Sequence, residues 1–290
     1  MASDLMSIAA SGARVARQVL DITAHNIANA ATEGYVRRSA NIEEMVATGT
    51  LTTLGDISMS GARLGGVVRN ADMFRQAEVR RTTSDAERAA TELGALENIE
   101  SALEDTQVYE AMVGFEASLE RLAANPVDPS LRAAVVEDAR TMARSFNIAA
   151  QNIDAIGDNL LFESQDAVEQ FNVNATELAR INVKLARING DGADRAALMD
   201  QRDRLLGTLS GIADIKTSFA SNGTVEVKLG DLATPVVSGD QALPFAIGQA
   251  PDGTFTFTAG GNAVNLAGGS LAGKALARAQ LNVAKDGLDA

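Results

Sequence analysis

The sequence predicts a mainly α fold: long antiparallel helices in a coiled-coil-like bundle, with a small antiparallel β unit inserted near the C-terminal end. Apolar residues step by three and four over long stretches, the spacing of helix faces that pack on other helices. Only 4% of residues are aromatic and none is Trp, so the interior must be built from Ala, Leu, Val and Ile, which suits slender helices better than a compact body. Between residues 217 and 268 the period falls to two, and Asn222-Gly223 and Asp252-Gly253 mark tight turns.

The first helix carries Leu5, Ile8, Gly12, Val15, Val19, Ile22 and Asn26 in an unbroken three-four seam. A second stripe of Ala9, Ala13, Ala16, Leu20, Thr23 and Ile27 widens the apolar face, so this helix calls for more than one neighbour. Residues able to answer it are scarce in the rest of the chain, which points to other subunits. After Tyr35 the period fails, and Thr48-Gly49-Thr50, Gly55, Gly61 and Gly65-Gly66 read as turns and short extended pieces up to about Asn70. From Ala71 the helical pattern returns, with Ala89, Leu93, Leu96, Ile99 and Leu103 on one face and Val108, Met112, Phe115, Leu119 and Leu122 continuing.

Asn125-Pro126 stops that helix, because the residue before proline is driven out of the α region. Asp128 restarts it as an N-cap, with Pro129 in a first turn that needs no donor. The seam from Met142 through Phe146, Ile153, Leu160, Phe171, Leu178 and Leu185 to Ile188 has one stutter, and a helix unbroken from Leu131 to Ile188 would extend for roughly 85 Å. Asn189-Gly190-Asp191-Gly192 turns the chain, Asp194 is placed to cap a helix using Leu198, Leu205, Leu209 and Ile212, and Asp214 opens the β unit. Its strands are expected at Val225–Leu229, Phe245–Ile247, Thr254–Thr258 and Ala263–Leu266. From Leu271 a last helix places Ala277, Leu281, Ala284 and Leu288 on one face and runs uncapped to Ala290, which suggests a chain cut before a longer return helix. The expected organisation is a terminal assembly region at 1–70, a long-helix domain at 71–216, a β domain at 217–270 and the start of a return helix at 271–290.

Composition narrows function mainly by exclusion. The formal net charge is -13 and the basic residues are scattered, so the footprint of a nucleic-acid binder is missing. Residues 1–70 hold six basic and six acidic side chains, leaving 19 against 32 in the remainder; a neutral segment packs against copies of itself without accumulating repulsion. With no Cys, disulfides and thiolate metal sites are excluded. No apolar run approaches the ~20 residues of a membrane helix, and Ser3, Asp4, Ser7, Ser11 and Arg14 break the pattern of a cleavable signal.

Catalysis, metal binding and cofactors are not expected. His25 is the only histidine and no nucleophile motif accompanies it. Gly268-Gly269-Ser270-Leu271-Ala272-Gly273-Lys274-Ala275 approaches a phosphate loop, but Ala275 lacks the hydroxyl that magnesium needs and the preceding strands form hairpins rather than βαβ units. The bland alternative, a glycine turn joining a strand to a helix, is preferred. The sequon matches at Asn174 and Asn222 are too short to carry weight.

Asn26-Ile27-Ala28-Asn29 followed by Thr32, Gly34 and Tyr35 resembles the amino-terminal signature of the bacterial flagellar axial proteins, the rod, hook and hook-associated family. Gly65-Gly66-Val67-Val68-Arg69-Asn70-Ala71-Asp72-Met73-Phe74, the Phe115 to Pro129 break, and Leu198-Met199-Asp200-Gln201-Arg202-Asp203-Arg204-Leu205 are similar, in family order, to segments of its hook-filament junction members. The resemblance implies a structural adaptor, exported through the flagellar secretion channel without signal cleavage and located outside the cell. Its implied partners are copies of itself in a helical ring, the hook protein, the second junction protein or flagellin, and an export chaperone whose site the family places near its carboxy terminus. Leu5, Ile8, Val15, Val19 and Ile22 are the expected inter-subunit contacts, while Asn26, Asn29, Thr32, Gly34 and Tyr35 fix the turn leaving the first helix. Another axial protein, or a coiled-coil adhesin or signalling stalk, is the competing reading.

Overall fold

The computed structural model describes residues 2–32, 34–46, 59–188, 190 and 192–289. Thr48-Gly49-Thr50, Gly55, Asn189, Asp191 and Ala290 lie outside them. The fold is mainly α, with long helices and small antiparallel sheets towards the C-terminal end.

Helix α1 (Ala2–Ala28) leads into β1 (Arg38–Val46) and β2 (Met59–Arg69), which pair antiparallel with Arg38 opposite Arg69 at the base. One long hairpin therefore stands where the sequence suggests turns and short extended pieces. Its alternation is obscured because the register shifts between Asn41 and Ile42 and again between Glu44 and Val46, and each slip exchanges inward and outward positions. The hairpin lies along α1 and supplies an intramolecular partner that the periodicity did not reveal. At Gly61, with φ 101°, an added Cβ would fall 2.0 Å from Ser11 Oγ, so only glycine admits this approach. Ser11 Oγ donates to Ile8 O at 2.7 Å and accepts from Ala62 N at 3.2 Å, tying strand to helix.

Helix α2 (Met73–Glu104) begins at Asp72, whose carboxylate accepts from the N–H groups of Phe74 and Arg75. It ends at a short break, and α3 (Val108–Ala124) follows. Gln107 adopts φ 53° in that break, a left-handed conformation that no Gly or Asn announces. Helix α4 (Pro129–Arg187) is one uninterrupted rod of 59 residues, about 90 Å at the usual rise. Asp128 caps it, accepting from Ser130 N at 2.7 Å, and the Ser130 hydroxyl and backbone N–H hold this carboxyl below its ordinary range. Helix α5 (Ala193–Ile212) departs from expectation in one detail. Gly192 occupies its N-cap without a side-chain bond, and Asp194 sits inside the first turn, favouring the positive helix end by charge rather than by capping.

The β unit contains two sheets. β3 (Ile215–Phe219), β4 (Val225–Leu229), β5 (Val237–Ser238) and β6 (Gln241–Ala242) form the first, and β7 (Phe245–Gln249), β8 (Phe255–Ala259) and β9 (Asn262–Val264) the second. Helix α6 (Gly269–Asp289) then returns along α2 and α4.

The main core gathers Phe171 and Leu178 of α4, Leu206 and Leu209 of α5, the inward residues Val225, Val227 and Leu229 of β4, Phe245 and Leu271. Two buried-side asparagines of α4 register the sheets upon it. Asn172 donates to Phe245 O at 2.8 Å and accepts from Phe245 N at 2.9 Å, and Asn182 treats Val225 in the same way at 2.8 and 2.9 Å. Each amide thus replaces a missing strand neighbour. A smaller cluster of Ile99, Ile153 and Leu281 joins α2, α4 and α6.

Candidate functional site

The residues expected at a subunit interface separate into three groups. Leu5 is 72% exposed and Ile8 is 37% exposed. Val15 is buried, and Val19 and Ile22 are half-buried on the side of α1 that meets the hairpin. Between that side and β1 runs a cleft of about 500 Å³, lined among others by Val19, Ile22, Asn26, Arg38, Ala40 and Ile42. The second stripe is the more exposed: Ala9, Ala13, Ala16 and Thr23 are exposed, as are Leu20 at 68% and Ile27 at 73%, although Thr23 and Ile27 also border the cleft. The apolar surface open to a neighbour therefore centres on Leu20 and Ile27, which the heptad seam alone did not select.

Asn26, Asn29, Thr32, Gly34 and Tyr35 lie at the turn leaving α1, where they make the following bonds and close contacts. Asn26 donates from Nδ2 to Arg38 O at 2.7 Å, and its Oδ1 accepts from Arg38 N and from the Tyr35 hydroxyl, each at 2.9 Å. An amide offers the donor and the acceptor of this arrangement on separate atoms. Asn29 Nδ2 donates to His25 O at 2.9 Å, and Thr32 Oγ1 lies 3.4 Å from Asn29 Oδ1. Gly34 has φ 72°, and a Cβ there would meet Arg204 Cγ at 2.5 Å. Asn26→Ala should lose about 2 kcal/mol of local stability. Amide exchange at Arg38 N–H would then accelerate roughly 30-fold, with α4 unchanged, whereas an unaltered rate would mean that Asn26 does not hold the turn.

Beneath this turn lies a polar cluster that sequence reasoning missed. Arg38 Nη2 donates to Asp200 Oδ2 at 2.8 Å, and Arg69 Nε donates to Asp200 Oδ1 at 2.9 Å. Arg69 Nη2 reaches Asp203 Oδ2 at 2.8 Å, where Gln76 Nε2 also arrives at 3.3 Å. Arg202 bonds Asp203 Oδ1 from Nε and Nη2 at 2.8 and 2.6 Å, donates to Gly223 O at 2.6 Å, and lies with its Cζ 4.6 Å from the centre of the Phe219 ring. Arg80 adds a bond to Thr217 Oγ1 at 3.2 Å. Burial pulls the Arg202 and Arg80 guanidinium groups below the ordinary arginine value, opposed in both by Asp203. The legible signals were the three-residue spacing of Asp200 and Asp203, which places both on one face of α5, and the two family-like segments that contain Arg69 and Asp200 to Asp203.

The phosphate-loop alternative finds its elements engaged elsewhere. Lys274 Nζ is 3.1 Å from Glu163 across to α4, and Asp214 Oδ1 accepts from the N–H groups of Ala267 and Gly268. A carboxylate thus occupies the turn where a phosphate would approach. Among the described residues, no helix is long and apolar enough to cross a membrane.

Residues 93–290 match the family described as the flagellar hook-associated protein FlgK helical domain. The flagellar hook-associated protein 1 of Bacillus subtilis is 29% identical over 212 residues, covering 70% of this chain and 42% of that protein. Its counterpart from Salmonella typhimurium is 26% identical over 261 residues, covering 89% of this chain and 47% of that protein. The chain thus spans about half the length of these curated relatives. The solved flagellar hook junction protein FlgK from Burkholderia pseudomallei shares the fold, with a TM-score of 0.62 at 20% identity over 70% of this chain and 39% of that one.

Proposed function

The chain belongs to the family of the flagellar hook-associated protein FlgK, and on that premise we propose that it is a structural subunit of the bacterial flagellum that joins hook to filament. Its terminal unit packs among copies of itself in a helical ring, with hook protein on one side and the second junction protein or flagellin on the other. Export through the flagellar secretion channel, without a cleaved signal and with a chaperone, belongs to the same proposal.

The observation that carries this reading is the apolar stripe left open on α1. Val15, Val19 and Ile22 support the helix from the hairpin side, while Leu5, Leu20 and Ile27 are the most open of its large apolar stripe residues. An isolated subunit gains nothing by exposing such large apolar side chains along one helix, whereas an assembled one buries them. The neutral charge of residues 1–70 serves the same end, since a ring repeats every charge at each subunit.

The test is chromosomal Leu20→Glu with Ile27→Glu in the bacterium that carries this gene. The protein should still reach the medium, but hooks should lack filaments and swimming should be lost. Lys228→Glu on the β unit should leave swimming intact. Normal filaments with the doubly charged α1, or with residues 1–35 removed, would overturn the proposal.

A further inference from the structure

We propose that Arg38, Arg69, Asp200 and Asp203 form a joint that sets the angle between the α1–hairpin unit and the helical body. The inference rests on geometry within one subunit and holds whatever the terminal unit docks against. Residues 2–69 of the described chain connect covalently to α2 through only Asn70, Ala71 and Asp72. Their packing on the body is mainly that of β2 against α5, with Gly34 beside the Arg204 side chain. This contact is thin in apolar terms: Val67 and Met199 are only half-buried, Val68 is 46% exposed, and a crevice of about 180 Å³ remains between the two elements.

The ion cluster is therefore the principal tie. Arg38 and Arg69 stand opposite each other where the two strands end, and Asp200 accepts from both, one oxygen for each. A single carboxylate thereby holds both legs of the hairpin. Planar guanidinium forks bind a carboxylate along defined directions, so the cluster prescribes an orientation as well as a contact. Buried ion pairs contribute little net stability because their attraction offsets a large desolvation cost. Opening the joint restores water to both partners, so the cluster fixes an orientation while adding little net stability. An apolar seam of the same area would have no comparable compensation.

The chain has no Cys, so nitroxide labels can be placed at Ala24→Cys on α1 and Ala186→Cys on α4, both exposed positions. In the purified monomer, electron-electron distance measurements should give one narrow distribution. Asp200→Asn should at least double its width, and Arg38→Lys, which keeps the charge but loses the fork, should give an intermediate width. Asp154→Asn, which removes an exposed partner of Lys285, should change nothing. Amide protection of α4 should persist throughout. If Asp200→Asn unfolds the body, the widening in Arg38→Lys decides the matter alone. Equal widths in wild type and in every folded joint variant would overturn the proposal, as would a wild-type distribution already as broad as the variants. Because this measurement uses isolated monomers, its failure is separate from any failure of flagellar assembly.

Discussion

Asp203→Ala should destabilise the chain by about 3–5 kcal/mol, the usual cost of removing one partner from a buried ion pair. Asp203 has a side chain only 8% exposed and accepts from Arg69, Gln76 and Arg202 together. Without it, Arg38 and Arg69 would keep Asp200, but the buried Arg80 and Arg202 would lose the carboxylate that offsets their desolvation. Arg202 would keep its bond to Gly223 O and its position over Phe219 but lose both bonds from Nε and Nη2. Asp203→Asn retains an acceptor oxygen and should recover part of the loss. Urea unfolding of the two variants measures this directly, and equal stability of Asp203→Ala and wild type would show that the cluster is solvated rather than buried.

Phe171→Ala should cost about 3–5 kcal/mol through a different mechanism, the loss of a fully buried ring and the cavity left behind. Phe171 meets Phe245 edge-on, with centroids 5.0 Å apart at 60°, and Phe245 in turn lies 5.9 Å from Phe257 at 24°. Such pairs add about 0.5–1.5 kcal/mol beyond the area they bury. Among few aromatics, three are stacked where α4 receives the second sheet, so the cavity opens between layers that small residues cannot close. Phe171→Leu fills most of the space and should cost about 1.5 kcal/mol. Thermal unfolding should rank Ala below Leu below Phe. A smaller loss for Ala than for Leu would mean that the sheet collapses onto α4 unaided.

These two sites also mark what sequence can and cannot reveal. Phe171 was legible: it lies in the three-four seam that became α4, and apolar spacing over 59 residues leaves little freedom. The turns at Asn222-Gly223 and Asp252-Gly253 were legible for local reasons, since two residues determine them; both close hairpins here. The Asp203 cluster was not, because its members come from β1, β2, α2 and α5 and meet only after folding. Read singly, they resemble the solvated charges of any helix surface. The break at Gln107 was hidden likewise, a left-handed residue without a glycine to announce it. The hairpin escaped because two register slips erase its alternation.

That last omission changes the account of α1 most. Periodicity identifies a face that needs a partner but not which partner takes it. In the structure the hairpin occupies the Val15, Val19 and Ile22 side, and Leu20 and Ile27 stay exposed. Asn26 and Tyr35 then acquire a defined task, holding the strand that covers the seam.

The central claim is that this outward stripe meets other subunits in the flagellum. A photo-crosslinking amino acid placed at Leu20 or Ile27, activated in intact flagella and followed by immunoblotting, tests it most directly. Subunit-to-subunit products are expected from both positions and none from Lys228, which lies on an exposed strand position of the β unit. Flagella that assemble normally yet yield no crosslink from either α1 position would contradict it.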